Sequence, residues 1–440
     1  MRGVSLLAAG VIVAITSACF GEPDAPSTRS DDTPGDASVR NDASARNDAS
    51  TSTDASTEVT PEQLAAALHA YIDDPTVGRR ALEASLVNRR NGYAQLRLER
   101  YTAEGWGALP ELNAPTLPMQ VSALTPPSKD APTWRALDLT LDGSMTALIE
   151  LGRRAFFAYP VQVARSLPVA VASADRAGVW EQDGQLATVW VQLPGSVLPS
   201  YTCATCHVVK DERGALVIGR NNDRLDAARI AGDGTNGPAW GLGRVDVTGD
   251  DSDNPVSITD LRPTRWQKRM HHAATLELRD DADGVVALAV RIETLILTSH
   301  GQSARPPRAI AAGLAAFLRS LADPTPRSQL TLDAGARAGS VHFEQHCARC
   351  HAGEGASGPG VPLAEVGTDP AVGLSSERGT GLYRVPSLRH VGDRRRLFAS
   401  GDVDDLEMLL DPARTVAGHP FGLTLSADAR AELLAYLRSL

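Results

Sequence analysis

The chain has 440 residues, with 43 basic against 53 acidic side chains and a net charge of −10. It is too long for one ordinary domain, and its acidic balance excludes the basic footprint of a nucleic-acid-binding surface. Five cysteines in such a length exclude a disulfide scaffold, so each needs its own account.

Residues 1–19 read as an export signal. Met1-Arg2 is a short positive start, and Val4 to Ile15 is an apolar run too short to span a membrane as a helix. Thr16-Ser17-Ala18-Cys19 follows as a small-residue cleavage region, and the pattern resembles a bacterial lipoprotein signal. That resemblance implies lipidation of Cys19, although Thr16 stands where such signals usually carry Leu or Val. An exported location in the periplasm or cell envelope is then expected, with membrane contact only through the lipid. No later segment is long and apolar enough for a transmembrane helix.

Residues 20–60 change composition abruptly. Asn-Asp-Ala-Ser occurs at 41–44 and 47–50, and Thr-Asp-Ala-Ser at 53–56. Positions 21–60 hold nine acidic and three basic side chains, so most of the chain's negative excess sits here. With almost no large apolar residues, burial cannot offset the entropy of ordering, and the segment is expected to be a disordered tether.

Residues 61–145 read as a small α+β cap without chemistry of its own. Pro61 to Ile72 is expected to be a short helix, with Thr60 as N-cap and proline in the first turn. Leu86 to Tyr101 reads as a β-hairpin turning at Asn91-Gly92.

Beyond residue 145 the sequence repeats itself. Ala312-Gly-Leu-Ala-Ala-Phe-Leu-Arg-Ser-Leu321 aligns without a gap on Ala431-Glu-Leu-Leu-Ala-Tyr-Leu-Arg-Ser-Leu440, and both read as amphipathic helices. Gly152 and Gly339 each precede a phenylalanine by four residues, Phe156 and Phe343, so glycine and ring share one helix face. A small residue there lets another helix approach closely. Gly339 lies 8 residues before Cys347, whereas Gly152 lies 51 before Cys203. The first copy therefore carries an insertion, within which Val179 to Val191 reads as a β-hairpin turning at Asp183-Gly184.

Four of the five cysteines form two identical patterns, Cys203-Ala-Thr-Cys206-His207 and Cys347-Ala-Arg-Cys350-His351. CxxCH is the attachment signature of a c-type haem: two thiols bond the macrocycle and the adjacent histidine ligates the iron. A zinc or thioredoxin-type CxxC has no requirement for that histidine. Two haem c groups are expected.

A Gly-xxx-Phe helix, a CxxCH motif and a closing Leu-xx-Tyr/Phe-Leu helix together resemble the class I cytochrome c domain. Two in tandem resemble the bacterial dihaem cytochrome c peroxidase and MauG-like family, as do Leu151-Gly-Arg-Arg-Ala-Phe156-Phe157 and Val385-Pro-Ser-Leu-Arg-His390 with Leu397-Phe398. The resemblance covers about 145–440. It implies a mainly α chain with two tandem cytochrome c-like helical domains, 146–325 with the hairpin insertion and 326–440. It also implies that the sixth ligand comes from the loop before each closing helix, and that a proline carbonyl such as that of Pro359 holds the proximal histidine.

Neither loop contains methionine. His300 and His419, however, each lie 21 residues before the last leucine of their copy. Bis-histidine coordination is therefore expected, His207 with His300 and His351 with His419. His271 and His272 are alternatives to His300, or would line the pocket. Met408, in an apolar run, is read as core. His342, His346 and His390 read as surface or haem-edge residues, and His69 as uninvolved. The oxygen-rich loop Asp246 to Asn254 is a solvated turn or, because peroxidases of this family bind calcium between domains, a calcium site. Two saturated irons would exchange electrons with exported redox proteins and bind no substrate. A peroxidase or MauG-like oxidase is the alternative; it requires one open iron and an acid–base group, for which Glu277 and Glu293 are the carboxylates at hand. No histidine between His207 and His271 supplies the one that such peroxidases carry soon after the first motif.

Overall fold

The computed structural model describes residues 59–120, 128, 134–163, 178–182, 185–227, 240–246, 255–300 and 302–440. Cys19, the acidic tether, the Asp183-Gly184 turn and residues 247–254 of the oxygen-rich loop lie outside these.

Helix α1, Pro61–Asp73, starts where its sequence says. Thr60 and Gln63 satisfy each other's backbone N–H in a capping box, and Pro61 occupies the first turn. Helix α2, Pro75–Ser85, comes at once after it, because the Asp74 carboxylate accepts from the Thr76 N–H at 2.8 Å. The expected hairpin at 86–101 is instead helix α3, Gly92–Arg100. Asn91 does not turn a hairpin: its Oδ1 accepts from the Ala94 N–H at 3.0 Å and caps the helix. Tyr93, Ala94 and Arg97 then share the buried face at helical spacing.

Helix α4, Met145–Ala158, is capped by Ser144 and carries the first Gly-xxx-Phe face. Strands β1 (Thr116–Gln120), β2 (Gln162–Val163), β3 (Glu181–Gln182), β4 (Gln185–Leu193) and β5 (Ser196–Tyr201) form one antiparallel sheet, ordered β1-β4-β5-β2 with β3 on β4. Glu181 and Gln182 pair antiparallel with Leu186 and Gln185, the strand pairing expected of the hairpin. Strand β1, from the N-terminal region, extends the same sheet. The region before residue 145 is thus interleaved with the first copy of the repeat.

The first CxxCH forms the single-turn helix α5, Cys203–His207. Three short antiparallel pairs come next: β6 (Val208–Lys210) with β7 (Leu216–Ile218), β8 (Arg244–Val245) with β9 (Val256–Ser257), and β10 (Arg269–Met270) with β11 (Leu276–Glu277).

Helix α6, Ala282–Ser299, has apolar residues on every face and is buried along nearly its whole length, against α1, α2 and helix α7, Arg308–Ser320. No described helix is long and apolar enough to cross a membrane.

The second half opens with α8, Ala334–His346. Strand β12 (Gly358–Pro362), helices α9 (Leu363–Val366) and α10 (Ala371–Leu374), strand β13 (Leu382–Val385) and helix α11 (Leu406–Leu409) lead to the closing helix α12, Ala427–Arg438.

The two glycine faces do what their sequence implies. A Cβ on Gly152 would sit 1.9 Å from the Gly313 carbonyl oxygen of α7, and one on Gly339 would sit 1.9 Å from the Glu432 carbonyl oxygen of α12. Only glycine allows backbones so close. One turn on, Phe156 meets Phe317 edge-on with ring centres 5.3 Å apart, and Phe343 meets Tyr436 at 5.1 Å. The α4–α7 and α8–α12 crossings are therefore built alike. The first anchors a core with α1–α3 and α6, the second a separate core around α8, α11 and α12.

Candidate functional site

Each CxxCH motif is held by backbone acceptors around it. In the first, the Thr202 N–H donates to Thr205 Oγ1 at 3.0 Å, and the Thr205 hydroxyl bonds the Ala187 carbonyl of β4. The Trp180 indole donates to the Ala204 carbonyl at 2.9 Å, and the Asn222 amide to the Thr205 carbonyl at 3.0 Å. The insertion sheet is the bed on which this motif lies. His207 is enclosed, and burial lowers its pKa to about 4 against a smaller opposing pull from Asp260 and the Thr259 backbone. Its Nδ1 is buried without a hydrogen-bond partner.

The second motif begins at the C-terminus of α8, where the Cys347 N–H still donates to the Phe343 carbonyl at 2.8 Å. His351 Nδ1 lies 3.2 Å from the Ala356 carbonyl oxygen, with the Pro386 backbone also against the ring. The expected acceptor, Pro359, is not the partner. It starts an outgoing strand, and the carbonyls come from the tighter turn at 352–357 and from the Pro386-Ser387 segment. That segment is itself fixed: Ser387 Oγ donates to the Gly355 carbonyl at 2.6 Å, and the Leu388 N–H donates to the Ala356 carbonyl.

With Nδ1 so engaged, His351 presents its ring to a cavity that Cys347, Cys350, Leu388, Leu397, Phe398 and His419 also line. His419 faces it from the loop before α12. The two ring centres are 6.5 Å apart, with planes at 58°. Phe398 and Phe421 flank His419, and its backbone is held at φ +45° by a bond from its N–H to the Val366 carbonyl and another from Arg414 to its own carbonyl. Burial lowers the pKa of both histidines to about 4, so both are neutral imidazoles with a lone pair to offer. His419 Nδ1 has no partner.

The other expected residues fall in different places. His300 ends α6, buried, with Nε2 3.0 Å from the Pro160 carbonyl oxygen. If Nε2 donates there, Nδ1 is the nitrogen with the lone pair. His271 and His272 have other surroundings. His272 lines the His351–His419 cavity, with Nε2 3.1 Å from the Ser257 carbonyl oxygen, while His271 packs on Tyr93 and accepts from Arg291 Nε. Met408 lies outside this cavity, near Asp404. His346 lines the cavity edge, His342 pairs with Glu432 at 3.0 Å between α8 and α12, His390 starts the turn at 391–393, and His69 stays on α1.

Neither carboxylate is placed for acid–base work at the cavity. Glu277 pairs with Arg269 at 2.9 Å. Glu293, fully enclosed, accepts from the Tyr71 and Tyr101 hydroxyls at 2.6 and 2.7 Å, with Arg308 at 3.8 Å. It ties the N-terminal helices to α6.

The two motifs are near neighbours. Ser257, Ile258, Thr259 and Asp260 line the second cavity, and the Thr259 backbone and Asp260 carboxylate act on His207. Asp260 is buried and ion-paired to Arg262 at 2.5 Å and Arg394 at 3.5 Å, while Arg262 also reaches Asp393 at 2.7 Å. A network absent from any sequence pattern thus joins the surroundings of one motif to the wall of the other.

The donor set fits a haem better than a tetrahedral zinc. The described cysteines are free thiols, and burial pushes Cys203 up to about 12 and Cys347 to about 11, which disfavours the thiolate that zinc requires but not a neutral thioether. Among the described residues no cluster of three His, Cys, Asp or Glu side chains could hold a metal ion by itself. A ring bound through a nitrogen about 2 Å from a metal has its centre roughly 3 Å away, so two rings that share one metal would have centres up to about 6.5 Å apart. His351 and His419 meet that spacing.

No protein-family profile matches the chain, and no curated relative matches it in sequence. Among solved structures, a MauG-like protein associated with microbial copper homeostasis aligns at 15% identity with a TM-score of 0.36, over 76% of this chain and 94% of that one. Hydrazine synthase of Kuenenia stuttgartiensis aligns at 15% identity and a TM-score of 0.34, over 72% and 98%. Likenesses of this strength carry no functional argument, and the reading of the site rests on its residues.

Proposed function

We propose that the chain is an exported dihaem c-type cytochrome that transfers electrons, with one haem on each CxxCH motif in two tandem cytochrome c-like units. The observation that carries this is the pair His351 and His419, facing across an apolar cavity that both cysteines of the second motif line. His351 and His419 would hold that iron, Cys347 and Cys350 would bond the macrocycle, and the group would supply a one-electron couple. The Ala356 carbonyl fixes the His351 tautomer and makes its ring a stronger donor. By the repeat, His207 and His300 would hold the first haem, His300 through Nδ1 where Nε2 donates to the Pro160 carbonyl. Residues 258–260, shared by both sites, give a short route between them. Donors and acceptors would be exported redox proteins, met from a Cys19 lipid anchor through the acidic tether.

A second reading, a peroxidase or MauG-like oxidase, is favoured by one observation. The His300 Nε2 is already bonded to Pro160, which would leave the His207 haem open if Nδ1 does not reach it. Electron paramagnetic resonance of the oxidised protein, repeated after half-reduction and hydrogen peroxide, separates the two. Two low-spin signals indifferent to peroxide support the electron carrier. A high-spin signal consumed by peroxide replaces it with the enzyme, and absence of covalent haem removes both.

A further inference from the structure

Beside the second cavity lies a group of side chains that the electron-transfer reading does not use. His271, adjacent to the cavity residue His272, is held at φ +62°, a conformation uncommon for a residue with a side chain. Arg291 Nε donates to His271 Nε2 at 2.5 Å. The tautomer is thereby set: the neutral ring carries its proton on Nδ1 and is a donor there. The Tyr93 ring stands edge-on to His271 with centres 5.2 Å apart, and the Arg97 guanidinium lies 3.5 Å over that ring, with Arg378 at 5.3 Å. Arg384, which lines the cavity, also acts electrostatically on His271.

Three donors of this group lack an acceptor among the described residues. Tyr93 Oη, His271 Nδ1 and Arg291 Nη1 are all buried and without a hydrogen-bond partner, and Tyr93 is only 4% exposed. Arg97 donates to the Thr294 hydroxyl and the Tyr93 carbonyl, and Arg384 donates to the Thr259 hydroxyl at 3.4 Å, its one side-chain bond among the described residues. None of Arg97, Arg291 and Arg384 is within 4 Å of a carboxylate among the described residues, while Asp246 acts on Arg378. Burial and mutual repulsion lower the pKa of Arg97 and Arg378 to about 10 and about 9. Enclosed cations and unsatisfied donors each cost free energy, and one negatively charged acceptor relieves both.

We infer that Tyr93, His271, Arg291 and Arg384 form an anion-binding site beside the second cavity, shaped for a carboxylate or a small oxyanion. The anion has two sources, a free oxyanion or a carboxylate of the haem proposed there; the second source rests on the haem reading, the first does not.

The test uses the purified full-length protein in a buffer free of phosphate and sulfate. Sodium sulfate is titrated calorimetrically into wild type, Arg291→Gln, Tyr93→Phe and, as a control outside the cavity, Arg153→Gln, whose side chain is exposed and pairs only with Glu150 among the described residues. Haem content is measured separately on the same preparations, so failure of the haem reading shows there. Sulfate binding weakened at least tenfold by Arg291→Gln and by Tyr93→Phe, but not by the control, establishes a free-oxyanion site. No sulfate binding, with a midpoint potential of one haem displaced in Arg291→Gln or Arg384→Gln and unmoved in the control, establishes the cofactor carboxylate as occupant. Neither sulfate binding in wild type nor a displaced midpoint in any of these variants overturns the inference. Tyr93→Phe removes one hydroxyl and tests the site even if the arginine variants fold poorly.

Discussion

At the scale of single residues, the two histidines proposed opposite the motif histidines are held differently. His419 is fixed by its backbone and by Phe398 and Phe421, its Nδ1 unpartnered, whereas His300 is fixed by its own ring on the Pro160 carbonyl. His419→Gly should convert one low-spin haem to high-spin while both haems stay attached, since the thioether bonds do not depend on the sixth ligand. Visible spectra and haem stoichiometry read this directly, and an unchanged low-spin spectrum would remove His419 as ligand. His300→Gly should do the same for the other haem. If it leaves both spectra unchanged, His300 is a structural cap of α6 and nothing more.

Elements cross at glycine and are joined by buried polar contacts. Val at Gly339 drives a side chain into the Glu432 carbonyl, so Gly339→Val should destabilise the second half by about 2 kcal/mol or more, within the usual cost of overpacking. Denaturant unfolding measures it; an equal stability would mean that α8 and α12 are free to separate. Glu293 gathers Tyr71, Tyr101 and Arg308 from three other parts of the chain. Glu293→Leu leaves two tyrosine hydroxyls and a cation without their acceptor, at a cost of about 3 kcal/mol. Its thermal transition should fall while haem content stays at the wild-type value. Loss of haem without loss of stability would return Glu293 to the chemistry.

On the scale of the whole molecule, the Asp260 carboxylate matters because it belongs to both sites. It opposes the desolvation of His207, lines the second cavity and pairs with Arg262 and Arg394. A buried negative charge favours the ferric over the ferrous state. Asp260→Asn should therefore raise the midpoint potential of the His207 haem, and spectroelectrochemical titration would show it. A midpoint that falls or stays constant would mean that the arginines fully neutralise the carboxylate.

The sequence by itself determined the local and the repeated. CxxCH, the Gly-xxx-Phe faces, the Thr60 and Ser144 caps and the 21-residue spacing of His300 and His419 are short-range patterns, and the helices and both crossings formed where those patterns lie. Asn91-Gly92 misled because the same asparagine that turns a hairpin also caps a helix, and only packing of Tyr93 and Arg97 against the core selects between them. Tertiary structure alone decided which cavity His272 faces, which carbonyls hold His351, that Glu293 serves the core, and that Asp260 and the arginines around His271 meet residues more than a hundred positions away. Ion pairs and hydrogen bonds between distant segments leave no periodic trace in a chain. They exist only once the helices and loops that carry them have packed.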